Sequence, residues 1–443
     1  MLKKITIGAI LVSMYSYSYI FSREPFEFYV SYIIYIIYLP FFFAKFGIPK
    51  WPTMIFFPLF IAGIITTQIG LNTPQQFYKT IIGFFASCVF YHYVIQAFDY
   101  DVKSLFRFYM KSAYVISIIG LIQIASYMVG FKFGYDYHWL FNKWNTTAGG
   151  LGIRVNAVFS EPAYYAATMA PAFFVGIYNL LKREENFVSK FKSLIIVLAY
   201  FTPFSSVGIM GIFLTIIILL INLGFFRYAF IMIPLLVFVA RYSYFNVPEF
   251  RDRWDGTIAL YTTDNIYSYD IHGSSFVLYN NSHVAWENFK KNPIMGTGLG
   301  SHPIAFDKYS YTNVIGAVQL DYNSKDANSM FLRLMSETGL YGMVVILLLL
   351  FGSWVFSWQA VEKEYWLISN ACALIILLYM LRQGHYFLNG FPFFLWLHFY
   401  TKKLNKFKIK EKKLAQLDGL EAISIAPVGV QHPDQKGRKN ETS

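Results

Sequence analysis

Two polar stretches of this chain carry the residue types that group transfer needs. In the first, Ile153–Phe159 alternates loosely, so an extended segment sets Arg154 and Asn156 on one face. The guanidinium fork of Arg154 suits a bidentate clamp on a phosphate, with Asn156 beside it as a substrate contact. Snorkelling of Arg154 toward lipid headgroups is the competing reading. Ser160-Glu161-Pro162 then opens an apolar run. Ser160 suits an N-cap, and Pro is tolerated in a first helical turn. Glu161 reads either as an acid stabilised by the helix dipole or as a base that takes a proton from an acceptor hydroxyl.

The second stretch, Arg241 to Ser329, is the longest internal run that lipid would not accept. Arg251 and Arg253 are phosphate contacts or, with Asp252 and Asp255, local ion pairs. Ser282–Lys291 reads as a short helix ended by Asn292-Pro293, with His283, Glu287 and Lys290 on one face. Val284, Ala285 and Phe289 lean the other way, so the helix is expected to lie in the membrane interface on its apolar side. His283 is a second candidate base or a solvated surface residue. The Gly296, Gly298, Gly300 run lacks the Lys-Ser/Thr of a phosphate loop and reads as a tight turn. Asn328 precedes an apolar run whose outer half carries Ser329, Arg333, Ser336 and Glu337 at helical spacing. Arg333 and Glu337 are spaced to pair. Charges at that depth face protein or water, as an ion pair or as substrate contacts. Arg382 and His385, in a later outer turn, can face the same cavity.

A bilayer must position these residues. Of 443 residues 56% are hydrophobic and only 14% charged, too few charges to cover a soluble surface of this size. Apolar runs of spanning length predict an all-α polytopic membrane protein of about 12 helices. The expected spans are Ile5–Phe21, Phe26–Phe43, Met54–Ile69, Phe77–Ala97, Phe106–Val129, Pro162–Leu181, Phe191–Ser205, Gly208–Leu223, Tyr228–Ala240, Ser329–Phe356, Tyr365–Leu381 and Tyr386–Tyr400. A signal peptide at the first of these is disfavoured, because no small-residue cleavage site follows. Residues 1–400 form the membrane domain with two larger outer islands, 130–161 and 241–328. Residues 401–443 form a basic tail, helical in part, with Gln431–Ser443 expected to be disordered. With the N-terminus inside, the inner loops carry Lys45, Lys50, Lys103, Arg107, Lys182, Arg183, Lys190, Lys192, Arg227 and Lys363, and the short outer loops only Arg23 and Arg382. That asymmetry places both termini in the cytoplasm and both islands outside. A miscounted span around Thr202–Ser206 would flip one island. The net charge of +12 sits in inner loops and tail, which fits contact with membrane lipid rather than nucleic acid. Cys88 and Cys372 lie in apolar runs and read as core. No zinc spacing, P-loop or dinucleotide fingerprint is present.

Read together, these residues resemble the O-antigen polymerase and ligase superfamily. Three pieces carry the resemblance: Arg154 with Phe159–Pro162; a helix bearing Trp286 that leads into Pro293–Gly298; and Asn328 followed by Glu337, Gly339 and Gly342. They cover about the second two thirds of the chain. Ligases of the group carry His immediately before that Asn; Ala327 stands there, which favours the polymerase side. The Arg that often precedes the Trp is also lacking, and Tyr165 replaces a Gly that polymerases carry after Arg154. The resemblance to the O-antigen polymerase family implies a GT-C-like multispanning glycosyltransferase of the bacterial inner membrane with its islands in the periplasm. It implies polyprenyl-diphosphate-linked glycans as donor and acceptor, and it raises a chain-length regulator and a flippase as partners. Expected roles are Glu161 or His283 as base, Arg154, Arg251, Arg253 and Arg333 on the diphosphate, and Asn156, Asn328, Glu337 and Arg382 on the rest of the substrate. Inverting transfer without metal or cofactor is expected. A ligase, or a lipid-linked oligosaccharide flippase, is the alternative; transporters concentrate polar groups at mid-membrane rather than in outer islands.

Overall fold

The computed structural model describes residues 2–24, 26–149, 152–224, 234, 237–238, 241–242, 244–246, 248–262, 273–314 and 322–424. In chain order the described elements begin with α1 (Leu2–Tyr15), the β1–β2 hairpin (Ile20–Ser22 and Phe28–Tyr29) and α2 (Val30–Phe46). There follow α3 (Lys50–Gln68), α4 (Pro74–Ala97), α5 (Val102–Met128), the single turn α6 (Lys132–Tyr135) and the antiparallel pair β3–β4 (Thr147–Ala148 and Ile153–Arg154). Next come α7 (Pro162–Lys182), α8 (Lys190–Tyr200), α9 (Ser206–Asn222), α10 (Pro248–Thr262), α11 (Gly273–Lys291) and α12 (His302–Tyr309). The last three helices are α13 (Met330–Gly352), α14 (Lys363–Arg382) and α15 (Phe391–Ser424).

Five of these, α3, α4, α5, α13 and α14, are long and apolar enough to cross a membrane, so the chain is a mostly helical, membrane-embedded protein. Thr6–Tyr15, α2 and α9 are shorter apolar helices. The helices fall within or close to the expected apolar runs, but the described residues do not contain twelve full-length spans. α1 has 14 residues and α8 only 11, against about 20 for a crossing. The expected ninth span lies largely outside the described residues, as does Gln431–Ser443. The twelfth is the start of α15, 34 residues long, which carries on into the basic tail. Thr202–Ser205 is a turn between two helices and Ser206 opens the second of them, with Ser205 accepting from the Gly208 amide as a cap.

α14 is the centre. Every residue from Tyr365 to Ile376 is buried, against α7, α9, α13 and α15. A helix apolar on all faces belongs inside other helices or in lipid. α3 is its opposite, with Phe57, Ile61 and Ile65 exposed along its length. α4 packs between α2, α3 and α15, and its first turn is set by Thr73, which accepts from the Gln76 amide, and by Pro74.

Two local features fix where the outer residues lie. Pro162 forces the residue before it into an extended conformation, so Glu161 (φ −144°, ψ 151°) occupies the N-cap of α7 in place of the expected Ser160. The Glu161 side chain makes no capping bond. α13 is broken at Gly339 (φ 57°, ψ −147°). The turn after α11 plugs the break: Gly298 N donates to Glu337 O at 2.8 Å, Leu340 N to Pro293 O at 2.7 Å and Tyr341 N to Ile294 O at 3.1 Å. Non-helical backbone at membrane depth is tolerable where protein satisfies it in this way. A Cβ at Gly339 would stand 2.5 Å from Pro293 O, and one at Gly296 2.4 Å from the Glu337 carbonyl carbon.

α11 begins at Gly273, earlier than the expected Ser282. Ser and Asn are weak helix formers, but Asn280 and Asn281 are fully buried and bonded to Ser310, the Tyr322 carbonyl and His302. Packing outweighs propensity there. The apolar face of α11 does not lie in the interface as expected. Val284 and Ala285 are fully buried, Val284 in a cluster with Ala305 and Phe306 of α12.

Candidate functional site

The starts of α4, α7 and α13, the β1–β2 hairpin and the Gly384–Leu388 turn meet at one end of the bundle around a cavity of about 1000 Å³. Both islands reach it: the first through Asn142–Asn145, the second through Gly300, Pro303, Asp307 and Asn323–Asp326. Its wall carries the cations Arg23, Lys79, Lys143, Lys325 and Arg333, with His385, and the acids Glu24, Glu27, Asp307 and Asp326.

Arg333 is buried, and its environment is built by α13 itself. Its Nε donates to Glu337 Oε1 at 2.9 Å, one Nη donates to the Gly384 carbonyl at 3.1 Å, and its guanidinium lies 4.4 Å from the centre of the Tyr386 ring. Glu337, fully buried, also accepts from the Tyr386 hydroxyl at 2.9 Å and from the His302 amide at 3.4 Å. The pairing read from the sequence is therefore present. Arg333 faces the cavity, and Glu337 stands behind it as its counter-charge instead of meeting a substrate. His302 is sealed beneath, with burial and then Arg333 pushing its imidazole down to about 3.

Lys79 projects from the second turn of α4 and makes no hydrogen bond or ion pair among the described residues. Glu27, Lys325, Arg333 and Lys143 all act on its charge. Lys143 pairs with Glu27 at 2.6 Å and donates to the Tyr29 hydroxyl at 2.8 Å. Burial works to raise the Glu27 carboxyl, but its bonds to Lys143 and Tyr29 outweigh that and hold it low.

His385 Nε2 lies 2.9 Å from Asp326 Oδ2 and 2.7 Å from the Tyr164 hydroxyl. Burial alone would raise Asp326, yet the His385 charge and hydrogen bond, the Asn328 amide and Arg333 bring it down to about 2. Gly384 is what admits this contact, since a Cβ there would sit 1.6 Å from Asp326 O. Glu161 lies one helical turn before Tyr164; it is exposed and, like Arg154, is not part of the cavity wall, though His385, Asp326 and Lys143 of that wall act on its charge. Its carboxyl is raised, first by partial enclosure and then by Asp326, against the lowering influence of His385, Lys143 and Arg154. It is a carboxylate with raised basicity that forms no hydrogen bond of its own among the described residues.

The other expected residues are dispersed. Arg154 lies in β4, where its Nε donates to Pro203 O at 3.1 Å. It is within electrostatic reach of Glu161 but outside the cavity wall. Asn156 does not share its face. It is fully buried, donating to Asn145 O and Phe159 O and accepting from Gln123 at 3.0 Å, so its amide holds the loop and has no group left for a substrate. His283 sits on α11, away from the cavity, stacked on Tyr311 with its Nδ1 3.0 Å from that hydroxyl. Partial burial lowers its pKa. Glu287, on the same face, pairs with Lys290. Arg251 is exposed on α10 and Asp255 accepts from the Tyr244 hydroxyl; no Arg251–Asp255 ion pair forms among the described residues. Arg253 lies on the same helix with its side chain outside the described ones. Asn328 is left-handed at φ 53° behind Asp326, and Arg382 turns to Ser206 at 3.2 Å, away from His385.

Lys79, Lys143, Lys325 and Tyr164 went unread in the sequence. Lys79 carried the clearest signal: it is the one charge inside the apolar run Phe77–Ala97, and a charge at that depth needs a wet or paired site. No family model matches the chain, and no curated protein matches it in sequence.

Proposed function

We propose that the chain is a membrane glycosyltransferase of the polysaccharide-polymerase kind, acting on the outer face of a bacterial inner membrane. The observation that carries the reading is the convergence of both islands on one cavity of about 1000 Å³ lined by Arg23, Lys79, Lys143, Lys325 and Arg333. A diphosphate leaving group calls for this density of cations at the bilayer surface, where a lipid-linked substrate must dock. Its donor is a growing glycan on polyprenyl diphosphate; its acceptor is a lipid-linked repeat unit. Lys79, Lys325 and Arg333 hold the diphosphate. The acceptor hydroxyl oxygen attacks the anomeric carbon as the bond to the diphosphate oxygen breaks. Glu161 takes the hydroxyl proton, and polyprenyl diphosphate leaves with the negative charge. The donor configuration inverts. Asp326 and the Tyr164 hydroxyl meet on the same His385 nitrogen, and together they fix the Gly384–Leu388 turn against the site. A carboxylate base of raised pKa and a cation cluster fit this chemistry, whereas a transporter would place its polar groups near mid-membrane.

The test is reconstitution. Purified protein in vesicles with lipid-linked repeat units is expected to give a ladder of products on gels. Movement of labelled units across the bilayer with no chain growth would replace the transferase reading with a flippase. Retained donor configuration in the product would remove single displacement.

A further inference from the structure

The other end of the bundle holds a second cavity, of about 740 Å³, between the start of α3, the end of α4 and the middle of α15. It lies about 25 Å along α4 from Lys79, by helical rise. Four lysines line it, Lys50, Lys403, Lys406 and Lys410, and no carboxylate does. The spacing of the last three puts them on one face of α15. Among the described residues none of the four forms an ion pair, although neighbouring lysines do: Lys103 and Lys408 both reach Glu362. Acids are thus available on this surface, and the four cavity lysines are left without them. Lys403 lies 4.5 Å from the Trp51 ring and 4.6 Å from the Phe399 ring. Burial and the charge of Lys50 both lower its pKa. All four are exposed, and a cluster of like charges with no carboxylate beside it offers an anion a favourable place to bind.

The surroundings say what kind of anion. The cavity opens beside Ile48, 80% exposed, and Phe407, 64% exposed, and next to the lipid-facing side of α3. Aromatic residues at such a depth mark the membrane interface, and basic pockets between helices on the cytoplasmic side recognise anionic headgroups. On the cavity wall the Gln96 Oε1 is a buried acceptor with no donor, a position a headgroup hydroxyl can fill. We propose that this cavity binds the phosphate-bearing headgroup of an anionic glycerophospholipid of the cytoplasmic leaflet, with the acyl chains lying along α3. The site is independent of the transfer chemistry at the far end.

The experiment uses the full chain in detergent, with dioleoyl phosphatidylglycerol and dioleoyl phosphatidylcholine offered in equal amounts and retained lipid read by native mass spectrometry. The wild type is expected to retain phosphatidylglycerol selectively. The K403Q/K406Q/K410Q variant, at three exposed positions, is expected to weaken that retention on the order of 100-fold, taking about fivefold per lysine. K190Q/K408Q removes charges outside the cavity and is expected to retain lipid like the wild type. Equal loss in both variants would reduce the effect to diffuse surface charge and overturn the proposal. Displacement of the lipid by inorganic phosphate at matched ionic strength would assign the cavity to a soluble anion instead. An unfolded K403Q/K406Q/K410Q sample, detected by gel filtration, would be replaced by W51A, which removes the ring over Lys403 and is expected to lower retention severalfold; unchanged retention in W51A would also overturn the site.

Discussion

Lys79 is the cation to which the proposed reaction is most sensitive. Arg333 is shared between a buried carboxylate and a backbone carbonyl, and Lys143 is neutralised by Glu27. Lys79 makes no hydrogen bond or ion pair among the described residues, which in the proposed reaction leaves its charge to the diphosphate. Lys79→Ala is expected to lower kcat/KM for chain growth by about 100-fold, on the order of one charge-assisted contact in a transition state. Arg154→Ala, outside the cavity wall, is expected to cost no more than about tenfold, acting through the loop it ties to Pro203. Steady-state rates on one substrate pair decide the order; an Arg154 effect larger than that of Lys79 would move the diphosphate to the β3–β4 hairpin. The raised carboxyl of Glu161 has a pH consequence. A base works deprotonated, so the rate climbs as pH rises through a pKa above the ordinary carboxylate range. Glu161→Gln is expected to abolish that ascending limb and to lower kcat while leaving KM nearly unchanged. Asp326 has the opposite sign. Its carboxyl falls to about 2 in the folded protein, below the ordinary value near 3.9. The stability it adds, ~2 kcal/mol, is complete above pH ~4 and is lost as pH falls toward 2. Asp326→Asn is expected to remove this acid-dependent part of the unfolding curve, measured by thermal melts across pH.

At the scale of elements, the interlocking of the Pro293–Gly300 turn with broken α13 explains a pattern that the sequence displays without explaining. Pro293-x-x-Gly296-x-Gly298 and Glu337-x-Gly339 lie far apart in the chain but form one unit, because the amides of one serve the carbonyls of the other. Helical periodicity found α13 and the Arg333–Glu337 pair, since both are local. It did not find the break, which depends on the backbone of another segment. The same limit explains Asn156. Alternation placed it beside Arg154, but a strand of two residues ends before it, and Gln123 of α5 captures its amide. His385 was legible only as a polar residue in an outer turn; its partnership with Asp326 needs Gly384 and a tertiary approach. Gly339→Ala is expected to destabilise the protein by more than ~2 kcal/mol, combining a strained φ with a clash against Pro293 O. Gly352→Ala, where a methyl meets nothing within 4 Å, is expected to leave the melting temperature almost unchanged. Equal shifts in the two variants would mean that the break in α13 is not held by the turn.

For the whole molecule, the two ends of the bundle differ in how they treat charge, and the proposed direction across the bilayer rests on this difference. At one end cations and acids are interleaved around a large cavity drawn from both islands. At the other, lysines line a smaller aromatic cavity without acids. A positive surface without counter-charges suits the anionic cytoplasmic leaflet, and a mixed cavity suits the side where a charged substrate is bound and then released. Five helices long enough to cross hold the two ends apart, with α4 contributing Lys79 to one and Gln96 to the other. α4 carries Lys79 near one end and Gln96 near the other, so in the proposed orientation the cavity at Lys79 and the one that Lys406 of α15 also lines open on opposite sides. Single cysteines at Lys143, Lys325 and Lys406, in a chain whose Cys88 and Cys372 are buried, test this with a membrane-impermeant maleimide on intact inner-membrane vesicles of known orientation. Positions 143 and 325 are expected to label together from the periplasmic side, and position 406 only from the cytoplasmic side. Labelling of 143 and 325 from opposite sides would separate the two islands, and with them the shared cavity on which the proposed transfer depends.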